Sequence, residues 1–185
     1  MNYNADIKKY KLDVFDETYI PDRIKFRDDQ IQRLKFYYDD YASTGARVPD
    51  IALQGAPATG KTVCIKHVLS SFDSRHILYT VAQETTYKTL VTIGRQLDLR
   101  LPLRGLSVPE LLDMVWEKLD ERNIRVLALD DVDKVKDPHL EEIFYKFSRG
   151  DKALTVLTNY MLFKQRIRDV GVQSSYNPIR IFFPP

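Results

Sequence analysis

Residues 55 to 62 carry the clearest chemistry in this sequence and read Gly-Ala-Pro-Ala-Thr-Gly-Lys-Thr. They complete a G-x-x-x-x-G-K-[ST] pattern, in which the backbone N–H groups of a tight loop surround phosphate oxygens. In such a loop Lys61 reaches terminal phosphate oxygens and Thr62 offers its hydroxyl to Mg²⁺. An ordinary glycine-rich turn is the alternative interpretation. We predict that the phosphate-binding residues are Gly55, Ala56, Pro57, Ala58, Thr59, Gly60, Lys61, Thr62 and Val63.

A group of carboxylates, Asp130, Asp131 and Asp133, follows the apolar run at 126–129. Because Mg²⁺ is held by few protein groups and several waters, a carboxylate at the end of a buried strand suits it. We predict that Asp130 holds Mg²⁺ and that Asp131 orients or deprotonates an attacking water. Alternatively, these carboxylates are solvated strand-end groups that cap the next helix.

Asn159 stands after another apolar run, at 154–158. The carboxyl ends of neighbouring parallel strands lie at the same edge of a sheet, so the amide of Asn159 can hold the attacking water or a γ-phosphate oxygen. The alternative is an asparagine that closes a strand-to-helix turn.

The apolar periodicity predicts the elements that position these residues. Five strand patterns occupy 50–54, 76–82, 124–129, 154–158 and 179–183, and helix patterns occupy 27–42, 63–71, 86–97, 138–148 and 161–168. A further helix begins at Ser107, because Ser107 and Glu110 form a capping-box pattern with Pro109 in the first turn. The third strand is almost wholly apolar and is expected to be central. These elements predict an α/β fold with a five-stranded parallel sheet covered by helices on both faces.

Composition limits the remaining possibilities. The chain has 185 residues, of which 44% are hydrophobic and 29% charged, as expected for one globular domain. A net charge of +2 is too small to indicate nucleic-acid binding, which would have to come from local patches. The single cysteine, Cys64, cannot form an intramolecular disulfide and fits a reducing compartment. The chain has no long apolar run and no signal-peptide pattern, so we expect a cytoplasmic protein without membrane insertion.

The polar and charged residues 1–18 are expected to form an N-terminal arm, and residues 19–185 the nucleotide-binding core. Within that core, an ordered set of motifs resembles the AAA+ domains of archaeal origin-recognition initiators, which are relatives of eukaryotic origin-recognition and helicase-loading subunits. The resemblance extends over nearly all of the chain after residue 18. Besides the phosphate loop, the segments that carry it are Tyr19-Ile20-Pro21 with Arg27 and Gln30, Thr85-Thr86-Tyr87, Gly105-Leu106-Ser107, Leu129-Asp130-Asp131-Val132-Asp133, and Ser174-Ser175 before Phe182-Phe183-Pro184-Pro185.

The resemblance implies a P-loop NTPase of the AAA+ class, with a three-layer αβα core that binds ATP or ADP with Mg²⁺. It further implies a switch that binds double-stranded origin DNA in an ATP-dependent manner, helps to recruit the replicative helicase, and associates with itself or with related initiator subunits. Such a protein would be associated with the nucleoid. The adenine of the nucleotide would lie against Tyr19, Ile20, Pro21 and Arg27.

The same family has an insertion that contacts DNA, and the matching stretch here is about 87–105. Its cations, Lys88, Arg95, Arg100 and Arg104, are expected to contact DNA phosphates, which supplies affinity but no sequence reading. The stretch also has the pattern of an amphipathic helix followed by alternating leucines, so packing against the core is the alternative.

Three departures from the family pattern affect the expected use of ATP. The family usually has Glu at the position of Asp131, so hydrolysis is expected to be slow. Direct alignment places Gly171 at the position of the family's arginine finger, for which Arg168 is a substitute only after a loop shift. The helical lid and the winged-helix domain of the family are not found within these residues.

Two other functions fit parts of the pattern. A small P-loop kinase would need an Arg-rich lid, which is not apparent in the sequence. A regulatory P-loop ATPase switch, or an adaptor like a helicase loader that binds protein partners without recognising origins, would carry the same Lys61, Asp130 and Asn159. Binding of ATP-loaded protein to duplex DNA distinguishes this second function from an initiator.

Overall fold

The computed structural model describes residues 19–21, 23–72, 74–101 and 105–185. The predicted N-terminal arm and the predicted DNA contact Arg104 lie outside the described residues. In chain order the helices and strands are α1 (Asp28–Thr44), β1 (Ile51–Gly55), α2 (Lys61–Leu69), β2 (Ile77–Val81), α3 (Thr86–Gln96), α4 (Val108–Glu121), β3 (Val126–Asp130), α5 (Leu140–Arg149), β4 (Ala153–Thr158), α6 (Val170–Ser175) and β5 (Ile179–Phe183). Short 3₁₀ turns lie at Ser74–His76, Val132–Lys134 and Phe163–Arg166.

The five strands form one parallel sheet with the spatial order β2-β3-β4-β1-β5. This confirms the α/β class and the five-stranded parallel sheet of an αβα core. β4, rather than the predicted third strand, occupies the middle, although β3 is fully buried between β2 and β4. Because β3, β4 and β1 are neighbours and parallel, the residues that follow them come together at one edge of the sheet.

Side chains alternate across the sheet and create two apolar layers. In β3, Val126 and Ala128 face the layer covered by α1 and α2. Leu127 and Leu129 face the opposite layer, which α3, α4 and α5 cover. The alternation continues to Asp130, which emerges on the α2 side of the sheet, the side that carries the phosphate loop.

Capping residues set where several helices begin. The Ser107 side chain accepts a hydrogen bond from the Glu110 N–H, and the Glu110 carboxylate accepts one from the Ser107 N–H, which confirms the predicted capping box at the start of α4. The helix predicted at 161–168 is wrong, because only the 3₁₀ turn at Phe163–Arg166 forms there. A helix that was not predicted, α6, follows instead, and the Asp169 side chain caps it by accepting from the Val172 N–H at 3.0 Å.

None of the helices among the described residues has the length and apolar character needed to cross a membrane.

Candidate nucleotide-binding site

The predicted phosphate loop connects the carboxyl end of β1 to the first turn of α2. Gly60 adopts φ +88° at the start of α2, a conformation that glycine reaches without steric strain. Gly55 lies close to β5, since a Cβ built on it would stand 2.4 Å from the carbonyl oxygen of Phe183. Within the loop, the Thr59 hydroxyl donates to the Ala56 carbonyl at 2.8 Å. The loop therefore has a defined shape, and its N–H groups adjoin the positive end of α2.

Lys61 brings the loop into contact with the neighbouring strand end. Its ammonium group donates to the carbonyls of Gly55 and Ala56, both at 2.8 Å, and to Asn159 Oδ1 at 2.9 Å. Burial lowers the pKa of Lys61 from its ordinary value, and the nearby carboxylates, of which Asp130 has the largest influence, oppose that shift. The structure thus places two predicted site residues, Lys61 at the start of α2 and Asn159 just after β4, within hydrogen-bond distance of each other.

Asp130 is buried and accepts hydrogen bonds on both carboxylate oxygens. Its Oδ2 accepts from the Thr62 hydroxyl at 2.8 Å and from the Tyr79 hydroxyl at 2.7 Å, while Oδ1 accepts from the Asp131 N–H at 2.8 Å. The two predicted metal ligands, Thr62 and Asp130, therefore lie side by side. Sequence reasoning missed Tyr79, which lies on the adjacent strand and pairs in register with Ala128. Because Ala128 and Asp130 point to the same side of β3, the register of the sheet is the signal that identifies Tyr79.

Asp131, the predicted base, has a different environment. Its backbone adopts φ +53°, and its carboxylate forms an ion pair with Lys134 Nζ at 2.7 Å. The hydrogen bond from this ion pair raises the pKa of Lys134. One cation therefore already lies against the carboxylate that was predicted to act on water.

Asp133 positions Asn159 and was not among the predicted site residues. Its carboxylate accepts from the Thr158 hydroxyl at 2.6 Å and from the Asn159 N–H at 2.5 Å. These two bonds join the segment after β3 to the end of β4. The backbone of Asn159 is therefore held in place, and its side chain accepts a hydrogen bond from Lys61.

Arg27 is bonded to the outside of the phosphate loop. Its guanidinium donates to the Thr59 carbonyl at 2.9 Å and to the Pro184 carbonyl at 2.7 Å. The segment at 19–21 runs elsewhere, along α2, where the Pro21 carbonyl is 3.1 Å from His67 Nδ1. The predicted adenine-binding residues are thus divided between the rim of the loop and the side of α2.

Comparison with known proteins agrees with this geometry. The family model described as an AAA domain matches residues 50–159, from the residue before β1 to Asn159. The chain belongs to the AAA domain family.

Relatives narrow the kind of AAA domain. The chain is 29% identical over 178 residues to an ORC1-type DNA replication protein of Methanothermobacter thermautotrophicus, a match covering 94% of this chain and 47% of the relative. The structure of the Aeropyrum pernix ORC1 protein in complex with DNA is 26% identical with a TM-score of 0.77, and 91% of this chain and 48% of that chain are covered. The crystal structure of Cdc6p from Pyrobaculum aerophilum shares the fold with a TM-score of 0.80 at 23% identity, covering 92% of this chain and 48% of that one.

These matches confirm the resemblance to archaeal origin-recognition initiators. The chain spans about half the length of the curated relatives it matches. What it carries is their AAA+ nucleotide-binding fold.

The predicted DNA-contacting cations of this AAA domain lie on and after α3. Arg95 and Arg100 are exposed, whereas Lys88 forms an ion pair with Glu84 at 2.9 Å. The leucines between these cations pack inward, with Leu97 buried and Leu99 against the same apolar layer. The stretch therefore combines an inward apolar side with outward cations, and DNA contact by the cations stays a prediction.

The donor set suits Mg²⁺ held in part by a nucleotide. Among the described residues, no group of three or more His, Cys, Asp and Glu side chains could bind a metal without help. One hydroxyl and one carboxylate, from Thr62 and Asp130, are instead adjacent. Mg²⁺ is commonly bound by one or two protein oxygens together with phosphates and water, so these residues fit it.

Proposed function

We propose that this chain is the ATP-binding AAA+ core of a DNA replication initiator, with residues 19–185 forming that core. The observation that carries the proposal is the meeting of Lys61, Thr62, Asp130 and Asn159 at the carboxyl ends of β1, β3 and β4. In this proposal the protein binds origin DNA in an ATP-dependent manner and helps to recruit the replicative helicase.

ATP would be bound through its phosphates. The loop N–H groups and the positive end of α2 favour anionic oxygens, and the largely buried side chain of Lys61 supplies a full charge. Thr62 and Asp130 would hold Mg²⁺, which would neutralise part of the phosphate charge when bound. Arg27 would support the loop from outside and lie close to the base end of the nucleotide.

Hydrolysis would be slow. A base must be free to approach the attacking water, and Asp131 has a short side chain whose carboxylate is paired with Lys134. Asn159 can orient a water through its amide but cannot remove a proton from it. Nucleotide binding would therefore switch the state of the protein, and the bound ATP would be hydrolysed only slowly.

DNA binding is supported by the similarity to an ORC1 protein whose structure was solved in complex with DNA. Arg95 and Arg100 are exposed and would contact backbone phosphates, while Lys88 would do so after leaving Glu84. The matched relatives are ORC1-type replication proteins, which supports recruitment of the helicase and association with related subunits as further parts of the proposal. A cytoplasmic, nucleoid-associated location follows from origin binding.

Nucleotide binding is tested by titrating ATP into the protein in a calorimeter. Lys61→Ala is expected to abolish or severely weaken the affinity, because it removes the buried cation of the loop. Lys118→Ala is the matched control, since that lysine lies on α4 in a surface ion pair with Glu121. Unchanged affinity in Lys61→Ala would refute the nucleotide site.

DNA binding is tested by fluorescence anisotropy of a labelled duplex, with and without ATP, over a range of salt concentrations. Arg95→Glu combined with Arg100→Glu is expected to weaken binding and to reduce the salt slope by about 2, since each phosphate contact contributes about 0.9. Lys118→Glu supplies the matched charge reversal on another helix. If ATP-loaded wild-type protein does not bind duplex DNA, a regulatory switch without origin recognition is the better assignment.

A further inference from the structure

Tyr79 lies in the edge strand β2, yet its hydroxyl reaches the end of β3. It donates to Asp130 Oδ2 at 2.7 Å, and the Thr62 hydroxyl donates to the same oxygen at 2.8 Å. The other oxygen, Oδ1, accepts the Asp131 N–H. Donors from β2, from α2 and from the turn after β3 therefore fix the plane of this carboxylate.

The position of Tyr79 is itself well defined. Its backbone pairs with Ala128 of β3, and the ammonium of Lys66 lies 5.3 Å from the centre of its ring. Burial, followed by the hydrogen bond to Asp130, raises the pKa of the Tyr79 phenol. The pairing with β3 thus holds the hydroxyl where it donates to the carboxylate.

The two donors to Oδ2 are not equivalent in a nucleotide-bound protein. The phosphate-loop pattern assigns the Thr62 hydroxyl to Mg²⁺, so its oxygen would coordinate the metal while its proton is donated to Asp130. Tyr79 is not assigned to the metal in this way, because it lies on the adjacent strand β2 and not in the phosphate loop. Tyr79 therefore helps to orient the carboxylate from outside the phosphate loop, alongside Thr62.

We propose that Tyr79 is a positioning residue for Asp130 and that it sets the Mg²⁺ dependence of nucleotide binding. This inference rests on the proposed nucleotide site. Partners that orient a metal-site carboxylate typically alter metal affinity by about 10- to 100-fold when they are removed. Loss of the Tyr79 hydroxyl would leave the Thr62 hydroxyl and the Asp131 N–H as the donors to Asp130, and would hold its carboxylate less firmly.

The test is a titration of a non-hydrolysable ATP analogue into wild type and Tyr79→Phe, first in EDTA and then at a series of Mg²⁺ concentrations. The expected result is an affinity in EDTA within about twofold of wild type and a Mg²⁺ midpoint raised about tenfold. Tyr38→Phe is the matched control, because it also removes one tyrosine hydroxyl, which is bonded at 2.7 Å to Thr155 Oγ1 and not to Asp130. It is expected to leave the Mg²⁺ midpoint unchanged.

The outcomes separate the two levels of the proposal. If wild type does not bind the analogue, the nucleotide site itself is refuted. If wild type binds it but Tyr79→Phe has an unchanged or a lower Mg²⁺ midpoint, the positioning role is refuted and the nucleotide site stands. If the affinity of Tyr79→Phe for the analogue falls by the same factor in EDTA and in Mg²⁺, the positioning role is also refuted. An equal loss indicates general damage to the site, because a role in holding Mg²⁺ would weaken binding only when Mg²⁺ is present.

Discussion

Gly55→Ala is expected to force the phosphate loop away from β5. A Cβ on Gly55 would stand 2.4 Å from the Phe183 carbonyl oxygen and 2.9 Å from the Phe183 Cβ, against ordinary contact at 3.4 Å or more. Both atoms belong to the paired strand β5, so relief requires β1 and β5 to separate by about 1 Å at this end of the sheet.

The magnitude follows from overpacking of a rigid neighbour. Overpacking a tightly filled site typically costs about 1–3 kcal/mol, and contact with backbone rather than a flexible side chain places Gly55→Ala at about 3 kcal/mol. For a chain of this size the midpoint of thermal unfolding should fall by about 6–12 °C. The Gly55 carbonyl also accepts from Lys61, so ATP affinity should fall with it.

The assay is thermal unfolding followed by circular dichroism, with Gly105→Ala as the matched control. A Cβ on Gly105 meets nothing within 4 Å, so the same chemical change should leave the midpoint unchanged or slightly raised. If Gly55→Ala melts within about 2 °C of wild type, the contact with β5 does not have the rigidity that this reasoning assigns to it.

Three further predictions concern the chemistry of single side chains. Cys64 is buried and its thiol pKa is raised to about 11, so a thiol reagent should label it only as fast as the protein unfolds, and rapid labelling of folded protein would contradict this. Folding lowers the pKa of Lys61, so the unfolded chain binds more protons than the folded chain between the folded-state pKa and 10.5. Urea denaturation should therefore show that the stability of wild type rises relative to that of Lys61→Met as the pH increases through this range. A constant difference in stability would argue against the lowered pKa. Asp131→Glu should raise phosphate release by about tenfold if the short carboxylate limits hydrolysis, and an assay of released phosphate showing no increase would exclude that cause.

The sheet and the phosphate loop were predictable because their signals are local. A run such as residues 126–129 is apolar enough to indicate a buried strand, and the octapeptide at 55–62 has fixed spacing. The capping box of Ser107 and Glu110 likewise depends on residues three apart. The helix expected at 161–168 was wrong: only the 3₁₀ turn at Phe163–Arg166 forms there, and Asp169 caps a separate helix after it.

Contacts between residues far apart in the sequence were harder to predict. Arg27 was expected near the nucleotide, but its bond to the Pro184 carbonyl joins the two ends of the core and has no sequence pattern. Tyr79 and Asp133 were missed for the same reason. Their partners are determined by strand register and by the path of the turn after β3, and neither can be read from a single sequence.

The turn after β3 also connects the nucleotide site to the helix that carries the predicted DNA contacts. At one end of residues 131–137, Asp133 holds Asn159, which meets Lys61 of the phosphate loop. At the other end, the Asp137 carboxylate accepts from both the N–H and the hydroxyl of Thr86, each at 2.7 Å, and so caps α3. Since Thr86 is fully buried, α3 cannot shift without breaking these bonds or moving the turn. The proposed phosphate site and the helix with Arg95 are therefore supported by one short segment. The proposed ATP dependence of DNA binding thus has a physical basis in adjoining contacts rather than in a distant pathway.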